Sequence, residues 1–459
     1  MSLPFDAIIV GTGQAGPPFA EKLAGAGWKV AIIERRRLGG TRVDLGRAPS
    51  KTLIASAQAA HYNRHAEDFG IVPSIAVTMD MPSVKRRMRS IVEAGREETE
   101  RQLDGIPGCT VYEGRAEFVS STAIRVEDSV LHAPKIFLNV GARPSAGNLD
   151  ISGVAYLTSS TILELDEVPQ KLFVVGGGLV GVEFAQIYRR FGADVTLVER
   201  SSRLVPCEDR DASLEIQSIL ESEGVEGLLD AECIRVMPGA EGVELVINSQ
   251  DRLSTLAGSH VLLALGRTPN TDDLAVERSG IQLTAEGYIP VDTHLRSKVP
   301  GIWALGECNG RGVFDDTSFD DFEVVAANLL GGDQERSISD RIPAHALFTD
   351  PPLAQVGMTE EEVRGLGRPA LIGFSRMTRV EHAVQKSDVR GFIKLLVSAD
   401  SKQILGGTIL GRNADEAIHS VLTAMMLGVQ AQVLERPTQN HTTIAELIRT
   451  LLGELKPLV

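Results

Sequence analysis

The sequence predicts an α/β protein built on two Rossmann-like dinucleotide-binding domains. Three observations carry the prediction. A strand, a glycine turn, a helix, a second strand and an acid follow one another over residues 6–34. The same series returns over residues 171–199. The 459 residues are 43% apolar and include 45 glycines, a globular composition with ample core and many tight turns.

In the first copy the apolar run Ala7–Val10 leads into Gly11, Gly13 and Gly16. The first glycine permits the tight turn out of the strand. The second lets a pyrophosphate approach the backbone, and the third lets the helix pack against the sheet. The helix N-terminus then offers free N–H groups and the positive end of its dipole to the phosphates. A second apolar run, Val30–Ile33, ends at Glu34, whose carboxylate can accept both ribose hydroxyls. In the second copy the glycines are Gly176, Gly178 and Gly181, and the acid is Glu199. In each copy the acid lies 23 residues past the first glycine. A lone G-x-G-x-x-G is weak, but two complete copies imply two dinucleotides. The economical pair is FAD and a nicotinamide nucleotide with a hydride passing between them. Glu199 favours NADH, because a carboxylate repels a 2′-phosphate, although Arg200 and Arg203 nearby leave NADPH open.

Charge and length narrow the class further. Asp and Glu number 61 against 46 Lys and Arg, a net charge of −15. Nucleic acid or an anionic membrane surface needs a clustered positive field, so neither is expected as a partner. No apolar run reaches the ~18–20 residues of a membrane helix, and the N-terminus enters a strand-like segment directly. The expectation is a cytoplasmic protein. The four cysteines, Cys109, Cys207, Cys233 and Cys308, show no close pairing and read as buried small apolar residues. The nine histidines show no metal-ligand spacing, and no metal is expected.

Further motifs resemble the class I pyridine nucleotide–disulfide oxidoreductases: glutathione reductase, dihydrolipoamide dehydrogenase and, most closely, the mercuric-reductase-like branch. Leu38-Gly39-Gly40-Thr41 resembles the phosphate and flavin segment, and Pro49-Ser50-Lys51-Thr52 the P-[ST]-K motif. Asn139-Val140-Gly141-Ala142-Arg143-Pro144 sits where the family has A-T-G-x-x-P. Gly266-Arg267-Thr268-Pro269-Asn270 matches G-R-x-P-N, and Pro300–Glu307 the second flavin motif. Phe348-Thr349-Asp350-Pro351 through Gly357 resembles the start of an interface domain. The resemblance covers essentially the whole chain.

It implies an FAD domain at 1–150 and 270–334, an NAD(P) domain at 151–269, and a C-terminal α+β dimerisation domain at 335–459 that makes a homodimer. Gly331-Gly332-Asp333 reads as a hinge and Gly365–Gly367 as a loop. The resemblance also implies that Lys51 and Glu183 form an ion pair beside flavin N5, where a cation favours negative charge on the ring. Glu307 stands where the family usually has an Asp for the flavin's ribityl chain. Gly114 belongs to the stretch holding the FAD adenine, and Leu179 replaces a tyrosine lid. Gly40, Thr41, Gly141 and Gly266 are further cofactor-binding candidates. His441 and Glu446 match the ends of H-P-x-x-x-E, without its proline. In the family that pair comes from the partner subunit and serves a thiol as acid–base.

One motif is broken. The family reads G-G-T-C-x-x-x-x-C, whereas this chain has Gly39-Gly40-Thr41-Arg42-Val43-Asp44-Leu45-Gly46-Arg47. Arginine cannot cycle between thiolate and disulfide. Disulfide reduction by the family mechanism is therefore not expected, and mercuric reduction is disfavoured. The reading is an NAD(P)H oxidoreductase whose flavin meets a non-disulfide acceptor directly: a quinone, another small molecule or oxygen. Arg42 and Arg47 would bind an anionic acceptor or stabilise reduced flavin, since guanidinium stays charged and grips anions bidentately. Two alternatives stay open: a nicotinamide nucleotide transhydrogenase, and a flavin-binding structural or sensing dimer with little turnover.

Overall fold

The computed structural model describes residues 1–459 except 1, 41–42, 44–46, 73–77, 152, 313–314, 332–334, 437–442 and 459. Its organising element is a five-stranded parallel sheet in the order Ile302–Ala304, Lys135–Leu138, Ala7–Val10, Val30–Glu34, Cys109–Glu113. All four residues of Ala7–Val10 and all five of Val30–Glu34 are buried, as continuous apolar strands covered on both faces must be. The helix Gly16–Gly25 lies against this sheet, with Pro17 and Pro18 in its first turn, where missing N–H groups cost nothing. Phe19 meets Phe137 edge-on at 4.7 Å. The Ile302–Ala304 strand joins this sheet after an intervening fold of its own, so the chain leaves the first sheet and returns.

That intervening fold repeats the design. Glu226–Leu228, Asp194–Val198, Lys171–Val175 and His260–Leu263 form a parallel sheet, with the helix Leu179–Phe191 crossing between its first two strands in sequence. An antiparallel layer, Ala231–Gly239, Gly242–Ser249 and Arg252–Gly258, flanks it. The outgoing and returning connections pair with each other: Ala142–Pro144 lies antiparallel to Arg267–Pro269.

The C-terminal region is a six-stranded antiparallel sheet ordered Ala344–Leu347, Leu353–Gly357, Ile404–Leu410, Phe392–Ser398, Ala370–Arg376, Lys456–Pro457. Helices Ala414–Met426 and Ile444–Gly453 pack on it. Buried charges tie this sheet to the second nucleotide fold. Lys394, 1% exposed, lies 2.8 Å from both Asp209 and Asp211 and 3.2 Å from Glu360. Arg190 is bound to Glu223 at 2.6 Å and to Asp350. Removing one partner from such a buried set leaves an uncompensated charge, which is strongly destabilising.

Three details depart from the sequence reading or fall outside it. Gly365 closes a short helix, Glu360–Gly365, because Thr359 and Glu362 cap each other reciprocally; that stretch is not simply a loop. Cys207 is exposed, and Cys109 and Cys233 are half-buried; only Cys308 is fully buried. The expected hinge at Gly332 and Asp333 lies outside the described residues.

Candidate active site

Both glycine turns open at the carboxyl ends of parallel strands, where open α/β sheets bind ligands. They face one cleft of about 1820 Å³. At the first turn Gly11 has φ +108°, and a Cβ there would lie 2.3 Å from Asn139 O. Gly176 repeats this, with φ +107° and 2.4 Å to Ala264 O. The third glycines, Gly16 and Gly181, pack against the first: a Cβ on either would collide with the carbonyl of Gly11 or Gly176. Only glycine fits these positions.

The two acids do the same local work. Glu34, 9% exposed, accepts the N–H of Thr12 at 3.1 Å, the Thr12 hydroxyl at 2.7 Å and the N–H of Arg36 at 3.0 Å. Glu199, 7% exposed, accepts the N–H of Gly177 at 2.6 Å and that of Ser201 at 2.7 Å. Each acid thus ties its second strand to the glycine turn. A carboxylate has about four acceptor positions, so each keeps capacity for a ribose hydroxyl.

Between the two turns stands a cation–carboxylate pair. Lys51 lies in the first turns of the helix Arg47–Arg64, and Glu183 in the helix that follows Gly181. Lys51 Nζ donates to Glu183 Oε1 at 3.0 Å. Phe348, from the C-terminal region, donates its backbone N–H to the same oxygen at 2.9 Å. The Phe348 ring centroid lies 3.5 Å from Lys51 Nζ. Sequence reasoning placed Phe348 in a motif but missed this contact, which joins residues almost 300 positions apart.

Gly13, Gly40, Gly114, Gly141, Gly178 and Gly266 all line the cleft, as do Leu179 and Glu307. Glu307 Oε1 is 2.7 Å from Arg267 Nε, a contact of charge without good hydrogen-bond alignment. Its extra methylene, relative to the expected aspartate, lets it reach this guanidinium. Two buried polar atoms of cleft residues, Asn139 Nδ2 and Gln14 Oε1, have no partner among the described residues. Glycine cradles, a helix N-terminus and orphaned donors and acceptors fit a dinucleotide.

Several candidates lie elsewhere or outside view. Thr41, Arg42 and His441 are outside the described residues, and Arg47 is described only as the backbone start of its helix. Glu446 sits in the first turn of the helix Ile444–Gly453, where its N–H donates to the capping Thr443 hydroxyl at 3.3 Å. No cysteine lines the cleft among the described residues. Burial pushes the Cys308 thiol up to about 12 and the other three to about 11. Among the described residues no group of three His, Cys, Asp or Glu side chains could hold a metal ion. No helix among them is long and apolar enough to cross a membrane.

Two dinucleotide cradles on one cleft, with a lysine–glutamate pair between them, define a flavin- and nicotinamide-dependent oxidoreductase. The chain belongs to the pyridine nucleotide–disulphide oxidoreductase family: residues 5–326 match that family, and residues 343–452 match its dimerisation domain. It is 33% identical to the probable pyridine nucleotide-disulfide oxidoreductase RclA of Escherichia coli, over 98% of this chain and 99% of that one. It is 30% identical to a mercuric reductase of Streptomyces lividans (97% and 95% covered). A dihydrolipoyl dehydrogenase of Chlamydia muridarum is 29% identical (97% and 96%). The fold superimposes on a solved Cu(II) complex of E. coli RclA, an HOCl-induced flavoprotein disulfide reductase. The TM-score is 0.89 at 31% identity, covering 99% and 100% of the two chains. The family's cofactors are FAD and NAD(P)H.

Proposed function

We propose that this protein is an NADH-preferring flavoprotein reductase that delivers electrons to a non-disulfide acceptor: a quinone, another small molecule or oxygen. The observation that carries the reading is the pair Arg42 and Arg47 at the positions of the family's redox cysteines, together with a described cleft wall that contains no thiol. Gly11, Gly13 and Gly16 would hold FAD in the first cradle, where it would supply a hydride acceptor for the nicotinamide and a two-electron donor for the final acceptor.

The chain's own residues prepare that transfer. Lys51 holds a positive charge between the cradles, and Glu183 and the Phe348 ring fix its direction. A preoriented cation stabilises charge developing nearby without reorganising. Glu199 offers its remaining acceptor capacity to a ribose 2′-hydroxyl and repels a 2′-phosphate. Arg200 is exposed, and Arg203 donates to Pro206 O at 2.9 Å. Arg42 and Arg47 supply charge for an anionic acceptor. The C-terminal region, from about 335, pairs two copies into a homodimer. The divisions near 150 and 270 bound the inserted NAD(P) domain.

The deciding experiment is an anaerobic NADH titration of the holoprotein followed by its visible spectrum. The expected result is direct bleaching of the yellow flavin, without a long-wavelength thiolate-to-flavin charge-transfer band, and rapid recovery on adding a quinone. Flavin that stays oxidised with both NADH and NADPH overturns the reading and favours a structural or sensing dimer. Recovery driven only by an oxidised nicotinamide nucleotide favours transhydrogenation. Unchanged quinone turnover in both Arg42→Ala and Arg47→Ala would remove the arginines from acceptor binding.

A further inference from the structure

Asn139 stands where the family motif carries alanine, directly after the Lys135–Leu138 strand. Its backbone is locked. The N–H donates to Val10 O at 2.8 Å, and the carbonyl presses against Gly11. The side chain is 7% exposed and belongs to the cleft wall.

The amide has a defined orientation. Its Oδ1 accepts the Ser318 hydroxyl at 3.2 Å, from the helix Asp315–Leu330. That bond turns the NH2 group away from the helix and toward the glycine turn. A Cβ built on Gly13 would lie 3.3 Å from Asn139 Nδ2. Nδ2 itself has no partner among the described residues. A buried donor left unpaired is strongly unfavourable, so a site that orients one this way is built around an acceptor.

The neighbour identifies the acceptor. Gly13 is the glycine past which a pyrophosphate runs in this type of turn, and the helix N-terminus at Gly16 points the same way. We infer that Asn139 Nδ2 donates a hydrogen bond to the pyrophosphate of FAD and that Ser318 is the positioning residue that holds the amide in register. The inference rests on the assignment of the first cradle to FAD and is independent of the acceptor. Alanine at this position leaves the turn without this donor. This chain therefore carries an added grip on its flavin.

The test is equilibrium binding of FAD, ADP and adenosine to apoprotein, read by flavin fluorescence and by competition. Asn139→Ala installs the family's usual residue. It is expected to weaken FAD and ADP equally, by about tenfold or more, since a hydrogen bond to a charged group is lost. Adenosine, which has no phosphate, should bind both proteins alike. Asn139→Asp is nearly isosteric and should be weaker still, because a carboxylate would face the phosphates. Ser318→Ala should lose about threefold, as the amide becomes free to rotate. Equal FAD affinity in wild type and Asn139→Ala overturns the inference. So does a loss confined to FAD with ADP unaffected, which would place the amide at the flavin half. An Asn139→Asp protein that binds FAD no more weakly than Asn139→Ala overturns it as well. A wild-type apoprotein that binds no FAD would instead overturn the cradle assignment itself.

Discussion

The two glycine turns are near copies in backbone and unlike in surroundings. In the first, the middle glycine is walled in. Asn139 Nδ2 lies 3.3 Å from where a Gly13 Cβ would sit, and a Cβ on Gly40 would lie 3.0 Å from the Gly13 Cα. In the second, a Cβ on Gly178 would meet nothing within 4 Å. Under the proposed function, one fold serves two kinds of ligand traffic. The closed cradle suits a resident cofactor, gripped on several sides. The open one suits a nucleotide that must leave each cycle. The acids follow the same division: Glu34 receives two hydrogen bonds from its glycine turn and Glu199 one, and each receives one more from the residue two positions on.

The largest expected effect would break the comparison at the first cradle. Gly11→Ala has neither the backbone angle nor the space, with Asn139 O 2.3 Å away. It should yield protein without flavin, seen as loss of visible absorbance in the soluble fraction. Gly178→Ala meets no obstacle and keeps a negative φ of −74°. It should retain a full complement of flavin and show a raised KM for NADH, because the added methyl narrows the approach of the pyrophosphate. Flavin loss in Gly178→Ala, or full flavin in Gly11→Ala, would erase the distinction between the cradles.

The next effect lies at the joint between them. Glu183 is shared by Lys51 and the Phe348 N–H, so Glu183→Gln removes a charge while leaving an acceptor for both donors. Flavin reduction by NADH in stopped flow should slow by about a hundredfold, the lower end of what losing one preoriented stabilising group costs. Flavin content should be unchanged. An unaltered rate would mean that the pair between the cradles is structural. A smaller effect is expected at the open cradle alone. Glu199→Gln should shift the NADPH to NADH ratio of kcat/KM toward NADPH by about tenfold, by removing the carboxylate–phosphate repulsion. No shift in that ratio would dismiss Glu199 as the determinant.

The parts of this fold legible in the sequence are those where the backbone itself dictates the residue. Gly11, Gly16, Gly176 and Gly181 are forced by positive φ or by carbonyls closer than a Cβ allows, so their spacing shows in one dimension. The motifs likewise brought Lys51 and Glu183 into one frame, and the structure places them 3.0 Å apart across 132 residues of chain. What stayed hidden depends on side chains meeting across distant segments. Nothing in the sequence linked Phe348 to Lys51, or Ser318 to Asn139, although an amide in an alanine position was a visible departure. The full burial of Lys394 among Asp209, Asp211 and Glu360 was equally silent, since a lysine in a strand reads as surface. The sequence reading expects the acids to meet a ribose; their attachment to Thr12 and Gly177 was not legible. It emerges only from the turn in three dimensions.

The smallest expected effect concerns the helix that spans both halves. Arg47–Arg64 carries Lys51 near its start and His61 near its end, where it packs toward Arg190 of the second fold. Burial, and then the Arg190 charge, lowers the His61 pKa from 6.5 to about 4, with Glu223 opposing and His65 and Arg390 adding to the fall. The folded protein therefore holds His61 neutral over a range in which the unfolded chain binds a proton. Its contribution to stability is fully present above pH 6.5 and is lost as pH falls toward 4. Thermal unfolding of the holoprotein should accordingly move to lower temperature between about pH 7 and about pH 5. His61→Gln cannot take up that proton and should flatten the slope, making the drop ~2–4 °C smaller. The second nucleotide fold leans on this helix at both ends, through Glu183 at Lys51 and through Arg190 near His61. Acid softening should therefore raise hydrogen exchange in the Leu179–Phe191 helix before it does so in Gly16–Gly25. Equal slopes in wild type and His61→Gln, or earlier exchange in Gly16–Gly25, would show that the two halves do not differ in this respect.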